Sequence, residues 1–184
     1  MAGFGMRLVR SAGMEGFTGN LNEYLIDPAN TNPIFTNDLV ALSAGGYLQE
    51  ATGASDNNDF DLIGVFAGCH YVDAEGGVKF RQVWSGEAGA SEIKAQVAGV
   101  PHSRFYIKGD AATDYTLANT VGKRFGVKYA AGTTMYGESR LTLGAAVSAT
   151  GPLFVHRLAP LPDNSWDSDE PIFEVGVVRY QGAA

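Results

Sequence analysis

The chain has 184 residues, 45% of them hydrophobic, a formal net charge of −7 and a single cysteine. That length and apolar content suffice for one buried core, with no charge run or Ser/Pro-rich linker to divide it. The thirteen basic residues are scattered, which excludes the clustered cations that a phosphate backbone requires, and one cysteine excludes an intrachain disulfide.

Twenty-four glycines without a fixed period, eight tyrosines and ten phenylalanines fit many short strands joined by tight turns, so a single, mainly β domain is expected. Met1 to Gly19 is a glycine-punctuated segment with apolar residues between the glycines. It is costly to order alone, because glycine loses the most backbone freedom on folding. Two readings stand side by side for it: an edge strand over Arg7 to Arg10 tucked into its own sheet, and an arm that adds to a partner by strand pairing. MAGFGMRLVRSAG has no continuous apolar h-region, and no run reaches the length a bilayer needs, so a soluble chain without a membrane partner is expected.

Strands are then expected at Asn22 to Ile26, ending at Asp27-Pro28, at Leu39 to Leu42, and at Tyr47 to Ala51 after an Ala44-Gly45-Gly46 turn. Asp59 to Trp84 carries the strongest local signal. Phe60 to Tyr71 is apolar on both parities and reads as a strand covered on both faces. Ala74-Glu75-Gly76-Gly77 supplies a turn, and Val78 to Trp84 returns with Phe80 and Trp84 in its apolar set. Ser91 to Val97 alternates with period two, Arg104 to Lys108 is a further strand, and Ala111 to Thr120 is the one place for a helical turn. Arg124 to Tyr129, Arg140 to Leu143, Leu153 to Leu158 and Ile172 to Tyr180 complete the expected strands.

The chemistry-bearing residues form no catalytic pattern, and the chain is expected to be neither an enzyme nor a cofactor carrier. Gly122-Lys123 lacks the upstream glycine of a phosphate-binding loop, and neither Gly-x-Ser-x-Gly nor His-Glu-x-x-His occurs. Cys69 and His70 are adjacent on a strand and so point to opposite faces, which is poor geometry for a nucleophile and its base. His70, His102 and His156 stand far apart and read as sheet residues. Asp163 to Glu174 has the alternating oxygens that can wrap calcium, but Ser168 stands where an EF loop needs glycine, and Pro160, Pro162 and Pro171 exclude flanking helices. It reads as a solvated acidic loop, as does Asp56 to Asp61, and no metal is expected.

The succession of Arg7-Leu8-Val9-Arg10, Tyr24-Leu25-Ile26, Ile34 to Val40 (IFTNDLV), Asp61 to Phe66 (DLIGVF) with Tyr71, Trp84, Val155-His156-Arg157-Leu158 and Phe173-Glu174-Val175 resembles small tailed-bacteriophage structural proteins, in particular the head decoration, or cement, proteins encoded near the major capsid protein. The resemblance spans nearly the whole chain. It implies a β-barrel or tulip-like domain, here residues 20–184, with residues 1–19 as an extended N-terminal arm and long loops. It also implies a place on the outer capsid surface of the virion and two kinds of partner, the major capsid protein and sister copies, with a homotrimer expected. On that reading Phe4, Met6, Leu8, Met14 and Phe17 of the arm are the expected capsid contacts. The alternative is a phage fibre or surface module binding carbohydrate or a host receptor, with Trp166, in a polar loop, stacking on sugar rings.

Overall fold

Alternating apolar residues between glycine, proline and Asx turns give a chain of short strands, and the computed structural model describes residues 3–11, 21–51, 62–99, 103–130, 132, 137–147 and 151–178. The strands are β1 (Arg7–Ser11), β2 (Asn22–Leu25), β3 (Leu39–Leu42), β4 (Leu48–Glu50), β5 (Leu62–Val72), β6 (Val78–Arg81), β7 (Ser91–Gly99), β8 (Ser103–Lys108), β9 (Arg124–Lys128), β10 (Thr142–Val147), β11 (Leu153–Leu158) and β12 (Ile172–Val177), with one helical turn, α1 (Leu117–Thr120), between β8 and β9. The helix forms where a helical turn was expected. It is held by a capping box in which the Thr116 hydroxyl accepts from the Asn119 N–H and the Asn119 side chain accepts from the Thr116 N–H.

The chain is mainly β, as expected, and its strands form two antiparallel sheets. One runs β1-β8-β12-β11-β9-β10 and the other β2-β7-β5-β3-β4, with β6 paired to β5. Setting β1 and β6 aside, the two sheets repeat one plan. If the five strands of each are counted along the chain, both have the order first-fifth-fourth-second-third, and every neighbouring pair is antiparallel. In each, the third strand also curls back to the end of the first through a single parallel bridge, Ile26 to Leu48 in one and Gly109 to Leu143 in the other. Among the described residues a lone bridge, not a ladder, joins each sheet's ends, so the barrel-like character takes the form of two rolled sheets.

Tyr115 fastens the second of these seams. Its hydroxyl accepts from the Asp110 N–H at 3.1 Å and lies 3.2 and 3.0 Å from the Leu143 and Gly144 carbonyls of β10. Its ring packs at 5.0 Å from Phe173 and 6.0 Å from Phe125. A buried tyrosine satisfied at its polar tip adds ring packing to the sheet closure without leaving an unpaired donor.

Two apolar clusters explain why β5 is hydrophobic on both parities. Ile63, Phe66, Cys69 and Tyr71 join Trp84, Ile93 and Val97 inside the β2–β7 sheet, whereas Leu62 and Val65 join Phe105, Phe125, Val155 and Phe173 of the other sheet. The cover for both faces thus comes from within the chain. It does so only over the first part of β5, and beyond the exposed Ala67 the outer face is open. Strict alternation does not hold either. Register shifts at Ile63 and between Phe66 and Gly68 each insert a residue, so that Phe66, Cys69 and Tyr71 share a face.

The N-terminal segment is part of its own sheet. β1 pairs with β8, Arg7 opposite Tyr106 and Ser11 opposite Ser103. Just before it, the Met6 N–H donates to the Asn37 carbonyl at 2.9 Å and the Met6 side chain is fully buried in the shared core. Gly5, at φ 71°, lies so close to Ser139 and the Asn37 carbonyl that a Cβ would stand 2.5 Å from the Ser139 Cβ, and a Cβ on Gly3 would stand 2.4 Å from the Leu141 carbonyl oxygen. Residues 3–11 therefore run beside β8 on one side and against the stretch leading into β10 on the other, filling the gap between the first and third strands of that sheet.

Candidate interaction surface

Of the five expected contact residues, the fold separates three and leaves two aside. Met6 is core, which removes it as an anchor for a partner while the domain is folded. Phe4 and Leu8 are half-buried, with the Arg7 guanidinium 4.7 Å from the centre of the Phe4 ring and the Glu138 carboxylate 3.6 Å from that guanidinium. Met14 and Phe17 lie outside the described residues.

The residues weighed for chemistry are placed structurally. Cys69 and His70 do point apart. The Cys69 thiol is buried, which pushes its pKa up to about 12, while His70 lies on the outer face with its ring 5.6 Å from Phe80. His156 meets the Phe154 ring edge-on, with 4.8 Å between ring centres, and His102 lies outside the described residues. In the acidic loop, the Asn164 amide donates to the Ala159 and Ile172 carbonyls at 2.9 and 2.8 Å, and its carbonyl oxygen accepts from the Ile172 N–H. Glu170 is bound to Lys108 at 2.5 Å and the buried Glu174 to Arg157 at 2.7 Å. The loop is thereby tied to the strands it connects. Asp56 to Asp61 lies outside the described residues. Trp84 is buried edge-on to Tyr71 and donates its indole N–H to the Asn30 carbonyl at 3.0 Å. Trp166 is turned inward too, half-buried with its ring 5.8 Å from Phe173.

Two carboxyl groups, the buried Asp38 and the half-buried Glu50, were not singled out by the sequence. Asp38 accepts from the Phe35 N–H at 2.7 Å and bonds to Ser139, yet burial outweighs both bonds and pushes it up to about 6. Glu50 is pushed up to about 7, first by burial and then by the charge of Asp38. The Tyr129 hydroxyl nearby is likewise pushed up by burial and by these two carboxyls. These groups sit where loops of the two sheets and the N-terminal segment converge. A more open, polar hollow of about 290 Å³ is lined by Asp27, Asn30, Asn32, Ser43, Tyr47 and Glu50.

The exposed apolar surface lies elsewhere. β2, β7, β5 and β6 lie side by side, and one row crosses all four: Leu25 opposite Lys94, Lys94 opposite His70, His70 opposite Phe80. Residues directly opposite one another share a face, so this row stands on the outer side of the layer. Leu25 is 51% exposed, Phe80 78% and Val78 62%. Glu23 holds the middle of the row together, 3.4 Å from Lys94, 3.9 Å from His70 and 3.3 Å from the Gln96 amide. A hollow of about 560 Å³ opens beside it, lined by Leu21, Ala67, Gly68, His70, Phe80 and Gln96.

Sequence reasoning missed this surface because it kept Phe80 in phase with Trp84. β6 ends at Arg81, Gln82 and Val83 bend, and Trp84 bridges to Ile34 instead. The available signal was the basic pair Lys79 and Arg81 around Phe80, since a covered strand does not carry cations at every second position. Among the described residues no helix is long and apolar enough to cross a membrane, and no three His, Cys, Asp or Glu side chains converge as metal ligands. Compared with known family models, curated proteins and solved structures, the chain has no significant match to any of the three.

Proposed function

We propose that the chain is a structural virion protein that binds the outside of a tailed-phage capsid and cements neighbouring major capsid protein subunits. One observation carries this reading: three of the large exposed apolar side chains, Leu25, Val78 and Phe80, lie on strands at the two sides of one layer and not around an enclosed pocket. Such a surface acts by contact with other chains. Each 100 Å² of apolar area covered there contributes about 2.5 kcal/mol before the costs of association are subtracted. Cementing needs no more chemistry than this, since separating two clamped subunits must re-expose the covered surface.

The charge is consistent with an outer position. A chain at −7 is repelled by the packaged genome and gains nothing from its phosphates. With Met6 in the core, Phe4 and Leu8, half-exposed beside Arg7, together with Met14 and Phe17, remain the candidates of the N-terminal segment for the capsid side. The alternative, a fibre or surface module stacking sugars on Trp166, would need a ring turned outward, whereas this ring faces Phe173.

The test is to add the purified chain to undecorated shells of the particle whose genome encodes it. Saturable co-sedimentation with a raised shell-disruption temperature supports cementing. Failure to bind, together with glycan-array binding that Trp166→Ala abolishes, would favour the fibre reading.

A further inference from the structure

We propose that the polar hollow between the β3–β4 turn and the loop after β2 is a binding site for one neutral sugar unit, with the Tyr47 ring as its platform. The hollow, of about 290 Å³, lies at the seam where the Ile26–Leu48 bridge joins the two ends of the sheet. Its volume is at the small end of the range of about 300–1,000 Å³ that ligand sites span, which suits a single ring. Both walls are held by hydrogen bonds of their own. On the turn side the Ser43 N–H donates to the Tyr47 carbonyl at 2.8 Å and the Ser43 hydroxyl accepts from the Tyr47 N–H at 3.2 Å. The Tyr47 ring lies against Gly45, where an added Cβ would stand 3.5 Å from Cδ2. On the loop side Asp27 Oδ1 accepts from the Ala29 N–H and Asn30 Oδ1 from the Asn32 N–H, both at 2.9 Å, while the buried Trp84 indole holds the Asn30 carbonyl at 3.0 Å. Walls ordered before a ligand arrives lower the cost of binding it.

The lining offers what hydroxyl groups need. Each sugar hydroxyl both donates and accepts, so it is best met by carboxyl or amide oxygens standing beside amide NH2 groups. Among the described residues Asp27 has Oδ2 left after its turn bond and Asn30 has its NH2 group, and the amides of Asn32 and Gln49 and the carboxyl of Glu50 complete the set. Burial and the charge of Asp38 push Glu50 up to about 7, so near neutral pH it both donates and accepts. Tyr47, 36% exposed, supplies a flat apolar surface on which the C–H face of a pyranose packs. The described lining holds two carboxyl groups and no Lys, Arg or His, so an acidic sugar is repelled. With one aromatic ring it also lacks the cage of rings that recognises a quaternary ammonium group. The inference does not rest on the cementing reading, and it places sugar recognition at a ring in solvent, whereas the Trp166 ring is turned inward.

The test is a ligand-observed NMR titration of the full chain with the methyl glycosides of glucose, galactose and mannose, and with glucuronate. Saturable binding of at least one neutral glycoside is expected, weakened about tenfold by Tyr47→Ala and about fivefold by Asn32→Ala. Trp166→Ala should leave it unchanged, and glucuronate should bind more weakly than the neutral sugar. Asn32 is exposed and its turn bond uses its backbone N–H, so Asn32→Ala should keep the thermal midpoint of the unaltered chain and separates a lost contact from a lost fold. Absence of saturable binding by all three glycosides overturns the proposal, as does binding that Tyr47→Ala leaves intact or that Trp166→Ala abolishes. Tighter binding of glucuronate than of any neutral glycoside overturns it as well.

Discussion

Arg157 and Glu174 stand opposite each other on β11 and β12, with the guanidinium Nε and one terminal nitrogen 2.8 and 2.7 Å from the same carboxylate oxygen. Glu174 is 1% exposed, while the arginine remains half in solvent. Removing the arginine takes the charge partner from a buried carboxylate. Arg157→Leu should therefore lower stability by about 2 kcal/mol, below the range for a fully buried pair because water still reaches the site. The double variant Arg157→Leu/Glu174→Leu should recover part of the loss. Urea unfolding of the unaltered chain, Arg157→Leu, Glu174→Leu and the double variant checks it, and a double-variant loss equal to the sum of the two single losses would show that the pair does not act as a unit.

Met6 gives a second prediction. As a core residue beneath the Asn37 carbonyl it should cost about 2–5 kcal/mol when cut to alanine, and Gly5→Ala should destabilise as well, since a Cβ at φ 71° meets Ser139 and Asn37. A freely extending arm would make both changes nearly silent in thermal unfolding.

Asp38, buried, and Glu50, half-buried, predict the pH profile. Asp38 and Glu50 have unfolded values of 3.8 and 4.5 and folded values of about 6 and about 7, so the folded chain holds their protons more tightly than the unfolded chain. The resulting penalty is absent below about pH 4, develops as the unfolded carboxyls ionise, and is complete above about pH 7. Asp73 works the other way, its carboxyl held below the usual range by the Gly77 N–H, the Glu75 N–H and Lys79, so its contribution is lost as acid protonates it. Stability should therefore peak on the acid side of neutrality and fall toward pH 8. Asp38→Asn, which keeps an acceptor for the Phe35 N–H, should flatten that fall, by on the order of 2 kcal/mol at pH 8. Denaturant midpoints from pH 4 to 8 measure it, and a profile unchanged by Asp38→Asn would contradict the assignment.

Cys69 should be inert. With its thiol buried and pushed up to about 12, labelling at pH 8 has to wait for unfolding, and the native rate should be roughly a hundredfold or more below that in denaturant. Fast labelling of the native chain would mean that the β5–β6 ladder opens readily.

Much of the fold was legible because local rules govern it. The Asp73 to Gly77 turn, with Asp73 Oδ1 accepting from the Glu75 and Gly77 N–H groups, is written in the Asp-Ala-Glu-Gly-Gly sequence, and the strands of both sheets begin and end at glycines and prolines much as expected. What was not legible is long-range or depends on register. Nothing near Arg7 announces Tyr106 as its partner, so the edge-strand and arm readings could not be separated until the ladder with β8 was seen. The extra residues at Ile63 and Ala67 reverse parity within β5 and leave no sequence mark beyond Gly68, whose φ of 137° suits the bulge. The repeat of one strand order in both sheets is invisible for the same reason, since it resides in pairing and not in similar residues. At the surface, a row such as Leu25, Lys94, His70 and Phe80 draws on four strands, and only the register brings it together.

The most direct test of the cementing role is to locate the chain in the intact particle by electron microscopy at side-chain resolution. The account predicts density on the outer capsid surface, with exposed strand edges against capsid subunits or sister copies and β1 seated in its own sheet. Density confined to the tail or to the inner capsid wall, or particles that lack the chain, would contradict it.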